Sequence, residues 1–113
     1  MSYDLMEKMA SLTKYLDAAI REIGRRGETF ANAKCEYQVE LAKEMLSLRE
    51  KGQPVTLVPD LARGTPRIAK LRLQKDLSEV LYKAAQEAIQ SYKLQIRVLD
   101  AQIAREWGKP NDQ

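Results

Sequence analysis

Residues 52–65 read Gly52-Gln-Pro-Val-Thr-Leu-Val-Pro-Asp-Leu-Ala-Arg-Gly-Thr65, and Pro66 follows. The 113-residue chain has five glycines and four prolines, and five of these nine breakers stand at 52, 54, 59, 64 and 66. Such punctuation ends one helix and starts another. Gly52 suits the left-handed position after a helix ending near Lys51. Thr65 and Pro66 suit the N-cap and first turn of the next helix. Everything else in the fold is read outward from this point.

Upstream, apolar residues recur at Leu5, Met9, Leu12, Leu16, Ile20, Ile23, Phe30, Ala33, Tyr37, Leu41, Met45 and Leu48, with Gly27 filling the one gap. The mean step is about 3.6 residues, which is helical, and strand alternation fails throughout. Helix one is expected over 2–51, with Ser2 as its cap. Downstream, Leu73, Leu77, Leu81, Ala84, Ala88, Tyr92, Ile96, Leu99 and Ile103 form the expected stripe of a second helix over 66–107. Gly108 and Pro110 stop it and leave a short tail, 108–113.

The expected fold is all-α: a single domain forming a long antiparallel helical hairpin, coiled-coil-like. A lone stripe on so long a rod is not buried by the rod itself, so self-association as a homodimer or larger homo-oligomer is expected. One local question stays open. Gly24 and Gly27 each cost a helix about 1 kcal/mol relative to alanine. They either kink helix one or break it, and a break gives three helices.

Composition removes much chemistry. Histidine is absent and Cys35 is the only cysteine. There is no disulfide, no cysteine zinc site and no base to activate a thiol or a serine. Cys35 reads as a buried or partly buried structural thiol, consistent with a reducing cytoplasm. Glu36, Glu40 and Glu44 stand at spacing four, but without histidine the usual bundle metal motif cannot form. No catalytic residue, metal site or cofactor is expected, and no enzyme. No apolar run is long enough for a membrane span.

The net charge is +3, and all of it lies in the second helix. Arg63, Arg67, Lys70, Arg72 and Lys75 form a run with no acid from Leu61 to Lys75. Cations at a helix start oppose its dipole, so the run asks for a partner. That partner is either an external anion (a nucleic-acid backbone or a nucleotide) or the acidic row of helix one. For a hairpin pivoting near residue 58, Glu44 faces Arg72 and Lys75, Glu40 faces Lys75 and Glu36 faces Lys83. Arg63 and Arg67 are then the basic residues least accounted for internally. Arg25 and Arg26 read as a solvated kink or a second anion contact. The loop is unusually apolar: Val55, Leu57, Val58 and Leu61 either plug the end of the hairpin or present a docking surface. Tyr82 and Tyr92 read as core or seam, and Trp107 is expected to staple the open ends near Met9 and Ala10.

The segments PVTLVPDLARG (54–64) and IAKLRLQKDLSEVLYKAAQEAIQSYKLQIRVLDAQIAREW (68–107) resemble uncharacterised small helical proteins encoded by tailed phages and prophages of Gram-positive bacteria. The resemblance spans roughly residues 35–107. It implies a phage-encoded protein in the host-cell cytoplasm during infection. Three functions follow as expectations. The first is a non-enzymatic interaction protein that binds itself and a protein partner, such as a counter-defence inhibitor or assembly factor. The second is a DNA-binding accessory of replication or recombination. The third is a nucleotide-binding sponge.

Overall fold

The structure, a computed structural model, describes residues 2–108. The Ser2 side chain and residues 109–113 lie outside the described part, and the expected Ser2 cap and the tail with Pro110 fall there. The described chain is all-α. Its elements are α1 (Ser2–Glu50), α2 (Val58–Gly64) and α3 (Pro66–Gly108). The packing divides into two units. One joins 2–24 of α1 to 83–108 of α3, and the other comprises residues 25–82. In each, the α1 and α3 segments run antiparallel.

α1 passes unbroken through Gly24 and Gly27. The third helix is α2 instead, inside the stretch expected to be loop. α1 closes as anticipated at Gly52, whose φ is 83°. Its N–H donates to the Arg49 carbonyl (3.0 Å), and the Gln53 N–H donates to that of Leu48 (3.1 Å), a Schellman closure. The Leu57 and Val58 N–H groups then donate back to the Pro54 carbonyl, which leads the chain into α2. α3 begins at Pro66, with the Ala69 N–H bonded to the Thr65 carbonyl at 2.9 Å. The Thr65 hydroxyl does not cap α3; it donates to the Leu61 carbonyl at 3.1 Å.

In the unit of residues 25–82, the most buried side chains are Val58, Ala62 and Ile68. From Ile68 the inward row of α3 continues through Leu71, Lys75, Ser78 and Tyr82. This overturns the first half of the expected stripe. Leu73, Leu77 and Leu81 are each more than half exposed, and Ala84 is exposed too. α3 carries two apolar rows here. Burying Ile68 turns the leucine row away from α1. Tyr82 stacks on Phe30, with ring centroids 6.0 Å apart, and covers Gly27. Arg26 does not simply project into solvent: its guanidinium donates to the Leu81 carbonyl at 3.0 Å.

In the other unit the expected rows hold more closely: Leu5 and Leu99 are buried, Ala88, Tyr92, Ile96 and Ile103 are half-buried, and the Tyr15 and Tyr92 rings lie 5.9 Å apart. Ala85 and Ile89, which lay outside the expected stripe, are buried there as well. Ile20 is half exposed, its place inward taken by Ala19. Trp107 is 68% exposed and staples nothing. Cys35 is exposed rather than buried. It sits between Ala33 and Tyr37, whose spacing belongs to the inward row, and so points off that row.

The two helix glycines differ in kind. A methyl group on Gly24 would meet nothing within 4 Å, whereas one on Gly27 would sit 3.1 Å from Cε1 of Tyr82. Gly24→Ala should therefore stabilise the chain by about 1 kcal/mol through helix propensity. Gly27→Ala should forfeit that gain by displacing Tyr82 from Phe30. Urea unfolding followed by circular dichroism checks the pair: a higher midpoint for the first variant and none for the second.

Candidate functional site

The basic run sits where α2 ends and α3 begins, and acids from three directions meet it. Arg67 reaches across to α1. Its Nη1 donates to Glu40 Oε1 at 2.6 Å, and its Nη2 lies 3.8 Å from Glu44 Oε2. Both carboxylates are largely shielded, with side-chain exposures of 26% and 18%. Lys43 closes on the other oxygen of Glu40 at 3.3 Å. Hydrogen bonds from Arg67 first, and Lys43 second, hold the Glu40 carboxyl below its ordinary pKa.

Arg63 lies 3.7 Å from Asp60, three residues back on α2. Arg72 and Lys75 both approach Asp76, at 3.9 and 3.1 Å. The Lys75 ammonium also stands 5.1 Å over the Tyr37 ring, a cation–π contact. Lys70 is exposed and has no ion-pair partner among the described residues. Four of the five run residues therefore have an acid of this chain beside them. The spacing signal for two of these pairs was in the sequence. Asp60 and Asp76 flank the acid-free stretch at i,i+3 and i,i+4 from Arg63 and Arg72.

The pairing across the hairpin differs from the expected one. Phe30 with Tyr82, Tyr37 with Lys75 and Glu40 with Arg67 put the pivot near residue 55 instead of 58. The chain turns at residues 51–57, before α2, so α2 belongs to the returning arm. Glu40 and Glu44 thus meet Arg67, the residue that seemed least matched, rather than Arg72 and Lys75. Glu36 is exposed and joins no ion pair among the described residues.

The apolar loop divides between a buried and an exposed part. Val58 is 1% exposed and is a plug, not part of a docking surface. Val55, Leu57 and Leu61 remain exposed at the same corner. Among the described residues, no group of three or more acids and Cys35 is placed to hold a metal ion, and no helix is long and apolar enough to cross a membrane.

Comparison of the chain with protein-family models, with curated proteins and with solved structures returned no match.

Because the Glu40 pKa is lowered in the folded chain, its contribution to stability is present above the ordinary glutamate pKa. It is lost as pH falls through the lowered value. Arg67→Ala should therefore destabilise the protein most at neutral pH. The difference from the parent should shrink once Glu40 is protonated. Urea midpoints of parent and variant across an acid series test this; a pH-independent difference would mean that Arg67 acts through packing alone.

Proposed function

We propose that this chain is a non-enzymatic helical interaction protein that self-associates and docks a protein partner. The observation that carries the reading is the amount of large apolar surface left exposed. Leu73, Leu77, Val80 and Leu81 on α3, and Val55, Leu57 and Leu61 at the α2 corner, are all exposed. Contiguous apolar patches of this kind mark sites of association. The α2 corner is the partner surface in this reading. The resemblance to phage-encoded helical proteins supports a setting in the host cytoplasm during infection, as a counter-defence inhibitor or assembly factor.

The alternative, a DNA-binding accessory using Arg63, Arg67, Lys70, Arg72 and Lys75, requires the phosphate backbone to displace Asp60, Asp76, Glu40 and Glu44 from their cations. A nucleotide sponge needs the same displacement. The test is assembly mass by sedimentation equilibrium, with binding to labelled single- and double-stranded DNA in the same salt series. The expected result is concentration-dependent assembly that persists at high salt, without DNA binding at low salt. DNA binding by a monomer, falling steeply with salt, would replace this reading with the nucleic-acid one.

A further inference from the structure

α3 has a second row opposite the one it turns toward α1. Leu73, Leu77, Val80 and Ala84 follow one another at steps of four, three and four, with Leu81 beside them. All five are exposed. That alternation is the spacing of a coiled-coil seam, in which each residue inserts between four residues of a facing helix. The inward row at Leu71, Lys75, Ser78 and Tyr82 occupies the far side of the helix, so the hairpin does not use this seam.

The charges beside the row identify what faces it. Asp76 and Lys83 stand seven residues apart on one edge of the row, and both are exposed. In a parallel pairing with a second copy, each would lie against an apolar residue of the other helix, at positions 81 and 88. In an antiparallel pairing centred between Val80 and Leu77, Leu77 packs on Val80 and Leu73 on Ala84. The same two-fold then sets each Asp76 against the Lys83 of the second copy, twice per pair. A row complementary to itself in both apolar register and charge meets the requirement of an isologous interface. Asp76 remains within reach of Arg72 and Lys75 of its own helix, Lys83 also has an interaction within its own chain, and such exposed pairs exchange partners at little cost.

We infer that a second copy of this chain docks antiparallel along Leu73–Ala84 of α3, with reciprocal Asp76–Lys83 pairs fixing its direction. This rests on the self-association in the reading above and names its surface. Sedimentation equilibrium of the full chain tests it with four variants, circular dichroism confirming that each stays helical. Leu77→Glu should raise the dimer dissociation constant roughly 100-fold, by placing like charges in the seam. Asp76→Lys and Lys83→Asp should each raise it roughly tenfold, and the double exchange should restore it to near the parent value. A parent that is monomeric at all concentrations overturns both this inference and the self-association behind it. A parent that assembles equally well with Leu77→Glu, or whose double exchange fails to restore assembly, overturns the seam and leaves self-association standing.

Discussion

The burial of Ile68 sets how α3 is turned about its own axis. A helix that carries two apolar rows can hide only one of them against a single neighbour. Ile68 is fully buried, as are Val58 and Ala62 on the short helix before it. Burying these three costs nothing in unsatisfied polar groups and removes three aliphatic side chains from water. From Ile68 the inward row follows at steps of three and four, whatever residues stand there. Lys75 is one of them. Its ammonium finds the Tyr37 ring and Asp76, while its stem lies along the helix pair. Ser78 is another, and its hydroxyl donates to the Gln74 carbonyl of its own helix. The leucines left outside are the counterpart of that choice.

The same rotation explains why a helix start can carry so many cations. The first turn of α3 contains no acid, and the dipole alone makes that unfavourable. Arg67 is offset by carboxylates that come from α1, and the offset works because Glu40 and Glu44 repel one another on their own helix. Bringing one guanidinium between them relieves a like-charge pair and a misplaced cation together. Lys43 strengthens the arrangement from the α1 side. Arg63, Arg72 and Lys75 are settled more cheaply by acids on their own helices, in exposed pairs of little individual worth.

Much of this was legible in the residues. Gly52 closing α1, Pro66 opening α3, nearly the whole inward row of α1 and the second half of that of α3 all follow from spacing and cap chemistry. What was not legible has a common cause. Residues 58–64 hold about two turns of helix that include Pro59 and Gly64, too short for periodicity to show. Missing α2 moved the pivot from near 55 to 58, and with it every expected cross-pair. Leu73, Leu77 and Leu81 looked more like core than Leu71, Lys75 and Ser78 because residue type outweighs position when one helix is read alone. Cys35 and Trp107 were assigned inward by type in the same way.

That error also bears on what the chain can do. An apolar row misread as core is surface, and surface of that composition is unfavourable in water until something covers it. The basic run left two partners open, an external anion or acids of the same chain, and most of it has acids of the same chain at hand. The free energy available for binding therefore lies in apolar contact more than in phosphate neutralisation. The two sources respond oppositely to salt. Counterion release weakens as salt rises, whereas apolar association does not depend on it and strengthens with excluded salts such as sulfate. A protein whose exposed leucines are set on a rigid helix can spend little conformational entropy on association, since the backbone that presents them is already ordered. In the proposed assembly this surface packs helix against helix, and the charges along its edge set the direction.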